Sequence, residues 1–377
     1  EELVAFRATS GSVGLVQEWC PHRRTSLWLG RNEEEGLRCV FHGWKFDVTG
    51  QCVDMPNELP RYDFAEKVQI TAYPTLEMGG VVWAYLGPKE EQPPSPSFEW
   101  TRQPESHLHV SKGLQECNWL QAMEGGLDSI HTSFLHRRFE GTGRAGLGGL
   151  RAQATAATID VRPTPYGYTY ASLRPLSEDR GNYVRTYHYV MPHHQIRAIQ
   201  ELTDDGSIKK FKIAGHVWVP ADDENCMVWN WYYSLDAPLE QEERDESFWG
   251  NGPNFFDFQN GFRPYLNKEN SWGIDREVQK RETFTGIEGV NQQDRAVQEA
   301  MGPIVDRSKE LLTQTDKAII AARRLLLQGA KSVEDGGSPP ATDTSYYDIR
   351  AIEQILPTDS PWLEALKDKM YPTGSPF

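Results

Sequence analysis

The sequence lacks any apolar run approaching the roughly 18 to 20 residues that a membrane-spanning helix needs, and nothing in it resembles a secretory leader. A soluble, cytoplasmic protein is the expectation. Positive charge is scarce: 39 Lys and Arg face 54 Asp and Glu, for a net charge of -15. Such a surface repels phosphate backbones and anionic lipid, which argues against nucleic acid and membranes as partners. Cysteine is scarce too, with five in 377 residues (Cys20, Cys39, Cys52, Cys117 and Cys226). These form no dense disulfide framework, so each reads as a reduced thiol or a metal ligand. A dinucleotide fingerprint in its strand-turn-helix setting is missing: the string "GTGRAG" (141–146) has the Gly-x-Gly-x-x-Gly spacing but follows no β run, so no dinucleotide site is read in this sequence. The text opens without Met on "EELVAFRAT", a strand already in progress, and an N-terminal segment is expected to precede it.

What is present is ordinary globular composition, 11% aromatic and 25% charged. Up to about residue 95 the text is short β-type runs such as "GLVQEWC", "LRCVFHGWKFD" and "GGVVWAYLG" between turns. The Pro- and Ser-rich "PKEEQPPSPSFEW" at 88–100 reads as a linker. We therefore expect an α+β protein with a small all-β domain (1–95) and a larger domain (96–377) whose antiparallel sheet is flanked by helices. In the second part, "LQECNWLQAMEGGLDSIHTSFLH" is a helix candidate, and the glycine-rich "EGTGRAGLGGLRAQ" reads as a mobile loop. The runs "YGYTYASLRPL", "NYVRTYHYVMP", "GHVWVPA" and "NCMVWNWYYSL" read as strands. Helical text returns over 288–329, and "EDGGSPPATD" then breaks the chain before a short tail.

Two Cys-His pairs carry the first chemical signal. "CPH" (20–22) and "CVFH" (39–42) can close around a metal centre, either a tetrahedral zinc or a Rieske [2Fe-2S] cluster. Zinc sites usually group like ligands. Each loop here offers one thiolate and one imidazole, which suits an iron pair with sulfur on one side and nitrogen on the other. Gly43 and Trp44 are expected to leave backbone N–H groups for cluster sulfur. The text "CPHRR…CVFHGWKFD" resembles the Rieske motif of ring-hydroxylating oxygenases, and it lacks the additional cysteines of respiratory Rieske proteins. The resemblance implies that Cys20, His22, Cys39 and His42 hold the cluster.

The second signal lies in "GLDSIHTSFLHRR". On a continuous helix Glu124, Asp128 and His131 share one face. His136 is then about 140° further round, so the two histidines converge only where the helix bends, bulges or ends. Two imidazoles and one carboxylate with open positions suit non-haem Fe(II). Asp128 is one candidate for that carboxylate. Asp294 is another, because its spacing from Val297, Met301 and Ile304 places it on an apolar helix face, where a charge must be paired, capped or bound to metal.

"NWLQAMEGGLDSIHTSFLH" is similar to the mononuclear-iron segment of the same oxygenases, whose third ligand lies in an Asn-x-x-Asp segment ahead of a helix. The resemblance therefore assigns His131, His136 and Asp294 to the iron. Asp128 is left to accept a hydrogen bond from His131, and the resemblance implies contact with a Rieske histidine of a neighbouring subunit, by motif order His42.

The resemblance implies a terminal oxygenase that uses O2 and takes electrons from NADH through a separate flavin and iron-sulfur reductase. The text "GIEGVNQQDRAVQEAMGPIVDRS" and "DKAIIAARRLLLQGAK" looks most like the phthalate 4,5-dioxygenase and chlorobenzoate dioxygenase branch, built from α subunits as trimers or stacked hexamers. That branch implies cis-dihydroxylation of an aromatic carboxylate. A monooxygenase or O-demethylase would carry the same metals. An electron-transfer or zinc-stabilised binding protein is the reading from another class, and about 280 residues beyond the Rieske loops speak against it. An anionic substrate calls for an arginine fork. Arg144, Arg151, Arg180 and Arg185 are candidates, with Thr132 and Val290 expected to line the pocket. Cys52, Cys117, Cys226, His188, His193 and His194 read as ordinary core, strand or loop residues.

Overall fold

The computed structural model describes every residue except 63, 140–148, 152–153, 177–179, 203–207, 245 and 247–248. Arg144 and most of the glycine-rich segment lie outside the described residues. The chain divides into two units, Glu1–Pro93 and Pro94–Phe377.

The β runs of the first unit pair locally. β1 (Leu3–Arg7) pairs with β2 (Val13–Gln17), and β3 (Arg31–Glu33), β4 (Gly36–Arg38), β5 (Lys45–Asp47) and β6 (Cys52–Asp54) form a four-stranded meander. β7 (Thr75–Met78) and β8 (Val81–Ala84) form a hairpin closed by Gly79 and Gly80. Both glycines have positive φ (59° and 72°), the backbone that a two-residue hairpin turn demands. Val16, Leu27, Phe46 and Ile70 make the core, and Cys20 and Cys39 belong to it.

In the second unit β9 (Leu108–Gln115), β10 (Thr158–Thr164), β11 (Gly167–Pro175), β12 (Asn182–Val190) and β13 (His194–Ala198) are followed by a small pair, β14 (Glu201–Leu202) and β15 (Ile208–Lys210). β16 (Lys212–Pro220), β17 (Cys226–Ser234), the short pair β18 (Phe256–Asp257) and β19 (Arg263–Pro264), and β20 (Glu353–Leu356) complete the strands. The main sheet is antiparallel, ordered β10-β11-β12-β13-β16-β17-β9. β12 divides one edge: Tyr187–Val190 pairs with β13, whereas Asn182–Arg185 pairs with β20. Helices α1 (Trp119–Leu127), α2 (Arg276–Arg281), α3 (Val290–Glu299), α4 (Lys317–Glu334) and α5 (Trp362–Met370) accompany the sheet. Among the described residues no helix is long and apolar enough to cross a membrane.

The aromatic strand text packs against α1 and α4. Tyr168 and Tyr170 of β11 lie opposite Tyr189 and Tyr187 of β12, in one buried cluster with Ala122, Met123 and Leu127 of α1 and Ala318, Ile319 and Ala322 of α4. Buried phenols still need hydrogen-bond partners. Tyr170 donates to the Leu127 carbonyl (2.7 Å) and Tyr168 to that of Ala318 (2.7 Å), so the sheet holds both helices by their backbone. Two glycines let α1 come this close. A Cβ on Gly126 would lie 2.2 Å from the Trp218 ring, and one on Gly125 would lie 2.0 Å from Gln298.

The structure departs from the sequence reading in three places. The long helix expected over 114–136 is only α1, because Asp128 takes an extended backbone and its carboxylate accepts from the Ile130 N–H at 2.6 Å. This side-chain turn competes with helix propagation. Glu124 therefore does not share a face with Asp128 and His131; it pairs with Arg307 and Arg323. The face of α3 is also reversed. Val297, Met301 and Ile304 are exposed, while Gln292, Gln293, Arg295, Gln298 and Glu299 are buried and hydrogen-bonded inward. The segment read as a tail contributes β20 and α5, whose Leu366 and Met370 are fully buried.

Tyr170→Phe removes the bond to the end of α1 and should cost about 1–3 kcal/mol of stability, the range for a buried acceptor left unmatched. Urea denaturation checks this, and an unchanged midpoint would show that the bond carries no weight.

Candidate functional site

Two tight loops of the first unit carry the Cys-His pairs. Cys20 accepts at its carbonyl from the Arg24 N–H (2.9 Å), and Cys39 accepts from the Gly43 N–H (3.0 Å). The Gly43 N–H is thus used in its own turn and is not free for sulfur as expected. The backbone N–H groups of His22 and Arg23 bear on the Cys20 sulfur instead. Burial, with Cys39 alongside, pushes the Cys20 thiol up to about 11, so a cationic centre is needed to hold it as thiolate.

The two imidazoles touch edge to face, with centroids 4.4 Å apart. His22 also stacks on Trp44 at 4.7 Å, nearly parallel, and Trp44 is anchored by a 2.8 Å bond to Asn57. His22 Nδ1 is buried without a hydrogen-bond partner, which an iron would supply. Sulfur pairs with sulfur and ring with ring, as an iron pair requires. Among the described residues, His131, His136 and Asp294 bring three donor atoms within 4.8 Å of one another.

That second cluster forms where α1 ends. After Asp128 the chain makes one tight turn at His131–Ser133, and its side chains are tied to the sheet. Ser129 Oγ meets the Tyr187 hydroxyl at 2.6 Å, and Arg174 donates to the Ser129 carbonyl at 2.6 Å. The interrupted helix brings the rings of His131 and His136 to 5.2 Å, nearly perpendicular. Both Nε2 atoms lie 3.4 Å from Asp294 Oδ1, which is itself buried with no hydrogen-bond partner.

Each ring is held by its other nitrogen. Asp128 Oδ2 faces His131 Nδ1 at 3.4 Å, and Gln293 Oε1 faces His136 Nδ1 at 2.7 Å. Burial alone would lower His131, but Asp128 and Asp294 raise it to about 8, so the site attracts a cation. Burial would raise Asp128, yet the bond and charge of His131 outweigh it and hold this carboxyl below its usual range. Burial keeps His136 neutral, the form that ligates metal. The donor set of two imidazoles and one carboxylate, with an orphaned oxygen at its centre, fits a non-haem Fe(II).

This cluster opens into a cavity of about 880 Å³. Alternate residues of the sheet form one wall: Arg185 and Tyr187 on β12, Gln195 and Arg197 on β13, His216 and Trp218 on β16. The turn at 286–289 and the start of α3, with Ile287, Val290 and Gln293, form another. Thr132 and Arg151 also line it. Arg180 does not: it is exposed in the turn joining β11 to β12, where Pro175 pairs with Asn182, well along the strands from Tyr187. Cys52, Cys117 and Cys226 are buried in the core, and His188 bonds to Tyr166 and the Arg350 carbonyl.

Arg185 is committed, with Ala198 and Tyr187 as hydrogen-bond acceptors and Glu353 of β20 at 3.6 Å. Arg197 was not among the sequence candidates. It donates to Gln195 Oε1 (3.3 Å) and His216 Nε2 (2.9 Å), both uncharged, since burial holds His216 far below its usual range. No carboxylate is ion-paired with Arg197 among the described residues. Burial and the neighbouring Arg185 lower its guanidinium to about 10, which still leaves it cationic at neutral pH. The available sequence signal was positional: Arg197 falls on the same strand parity as Gln195, opposite Tyr187.

Residues 1–74 match the Rieske [2Fe-2S] domain, and residues 84–371 match the family described as LigXa C-terminal domain like. The chain is 35% identical, over 98% of its length, to the 3-chlorobenzoate-3,4-dioxygenase oxygenase subunit of Comamonas testosteroni, and covers 88% of that protein. It is 36% identical, over 96% of its length, to the phthalate 4,5-dioxygenase oxygenase subunit of Pseudomonas putida, and covers 83% of it. The crystal structure of dicamba monooxygenase bound to dicamba aligns with a TM-score of 0.61 at 16% identity, over 89% of this chain and 91% of that one, and so shares the fold.

Asp294→Ala should remove one metal per chain while leaving the visible spectrum of the Cys-His centre intact. Metal analysis beside that spectrum measures this, and undiminished metal content would show that these three residues do not share an ion.

Proposed function

The chain belongs to the Rieske-type aromatic-ring oxygenases, and from that premise we propose that it cis-dihydroxylates an aromatic carboxylate, phthalate-like or chlorobenzoate-like. The enzyme carries a Rieske [2Fe-2S] cluster and a mononuclear iron and uses O2. Cys20, His22, Cys39 and His42 would hold the cluster, and His131, His136 and Asp294 the iron. When bound, the cluster supplies electrons singly and the iron supplies oxygen activation. The overall change balances: NADH, a proton, O2 and the arene give NAD+ and the cis-dihydrodiol. NADH would act through a separate flavin and iron-sulfur reductase, a reading supported by the relatives being oxygenase subunits of larger systems.

The observation that carries the substrate class is Arg197, a half-buried cation hydrogen-bonded only to neutral partners in a cavity that also holds the iron ligands. A planar guanidinium of this kind matches a carboxylate bidentately. Trp218, Val228, Ile287 and Val290 offer apolar contact for the ring. Arg185 lies on the neighbouring strand with its charge already paired to Glu353, while Thr132 lies beside the iron ligand His131.

Asp128 has two tasks in this reading. It holds the His131 ring, and in a trimer or stacked hexamer of α subunits it bridges to His42 of a neighbouring copy. Its lowered pKa keeps it ionised for both. A cytoplasmic, bacterial-type catabolic enzyme completes the proposal.

Labelled O2 with a panel of benzoates and phthalates tests the reaction. A cis-diol carrying both labelled atoms is expected, and formaldehyde release or single-atom incorporation would replace the dioxygenase with a demethylase or monooxygenase. Arg197→Met should raise KM for the carboxylate about 10- to 100-fold with a smaller change in kcat, whereas Arg180→Met should change neither. An unaltered KM in Arg197→Met would move the carboxylate elsewhere. Asp128→Asn should retain both metals and abolish product formation, and turnover near wild type would refute the bridge.

A further inference from the structure

We propose that Gln293 is a positioning residue for the mononuclear site, fixing the ring of His136 so that its Nε2 faces the metal. The inference rests on the reading of His131, His136 and Asp294 as an iron site and goes beyond it, to a residue that ligates nothing. Gln293 is 8% exposed, and its amide has one neighbour at each end. Its Nε2 donates to the Ile287 carbonyl at 2.8 Å, and its Oε1 lies 2.7 Å from His136 Nδ1.

Those two contacts leave one consistent assignment of hydrogens. A carbonyl oxygen only accepts, so the amide nitrogen must be the end at Ile287. The end at His136 is then oxygen, which also only accepts. His136 must therefore carry its hydrogen on Nδ1. With that hydrogen on Nδ1, the metal-binding form of the ring presents its lone pair at Nε2, and it is Nε2 that lies 3.4 Å from Asp294 Oδ1. Flipping the amide would set NH2 against NH at one end and oxygen against oxygen at the other. Ile287 thus dictates the amide, and the amide dictates the tautomer.

The backbone makes this chain of contacts rigid. Gln293 and Asp294 are consecutive on α3, so one helix turn presents both the carboxylate and the orienting amide. The Gln293 N–H bonds to the Gly289 carbonyl at 3.0 Å, at the foot of the helix. Ile287 sits in the turn between Gly286 and Gly289, both at positive φ (70° and 82°), where a side chain would be strained and would also strike backbone. The two ligating rings are therefore held by different chemistry. His131 leans on a carboxylate and His136 on a neutral amide, so the pair brings a single negative charge, that of Asp128, to the rear of the site.

The test uses the full chain with its Cys-His centre loaded and the mononuclear site emptied, titrated with Fe(II) and with Co(II) as a spectroscopic stand-in. Gln293→Leu should weaken both metals about 10- to 100-fold, the usual effect of removing an orienting partner from a ligating histidine. It should also alter the Co(II) ligand-field bands. Gln293→Glu keeps an oxygen for Nδ1–H but sets its other oxygen against the Ile287 carbonyl, so it should recover only part of the affinity, a rescue that a purely space-filling role would not give. Wild-type affinity in Gln293→Leu overturns the proposal. If that variant fails to fold, Gln293→Asn, polar and one methylene short of spanning both partners, should lose affinity in the same direction, and wild-type binding there overturns it equally. His136→Ala separates the two levels. If it binds metal as wild type does, the iron site itself is misread; if it abolishes binding while Gln293→Leu is unaffected, only the role of Gln293 falls.

Discussion

Asp294 Oδ1 is a buried, negatively charged oxygen with two imidazole nitrogens 3.4 Å away and no hydrogen bond to satisfy it. Left so, it would cost several kcal/mol, and a dication removes that cost. Much of the second unit serves to keep the three donors in place. Tyr170 holds the end of α1 through Leu127, and Tyr187 and Arg174 hold Ser129. The result is a site whose ligands come from two segments but whose orientation is set by the sheet and by α3.

The cavity extends the same electrostatic logic. Its sheet wall carries arginines of two kinds. Arg185 is neutralised within the fold by Glu353, and Arg197 is hydrogen-bonded only to neutral groups. A pocket that offers apolar contact beside a guanidinium held only by neutral groups favours an anion of modest size over a neutral hydrocarbon. The acidic surface, at a net charge of -15, sets the opposite preference outside, so a carboxylate is selected by the pocket and not by long-range attraction.

Much of the architecture was legible in the text. Cys-x-His and Cys-x-x-His stand out because ligand chemistry dictates which atoms must be offered and how far apart, and the aromatic runs of β11 and β12 declare themselves as strands. The length of α1 was not legible. It depends on a side-chain turn at Asp128 and on how closely Gly125 and Gly126 let the helix approach Trp218 and Gln298, and these contacts are distant in sequence. The inward face of α3 misled for a related reason. Pattern rules expect apolar side chains inside, but here Gln292, Arg295 and Gln298 are buried because they satisfy backbone and amide groups of other segments. Arg197 looks like any strand arginine until its neighbours are known, and Gln293 like any helical glutamine.

The shared edge of β12 has a temporal consequence. Arg185 is made early in the second unit, while the carboxylate that balances it, Glu353, arrives on β20 near the end of the described chain. During synthesis on the ribosome the sheet can pair through β17 while this half of β12 stays open and its guanidinium has no counter-charge. The pocket therefore acquires its final charge distribution only once β20 has emerged, so a nascent chain halted before β20 would present Arg185 without the counter-charge it has in the finished enzyme.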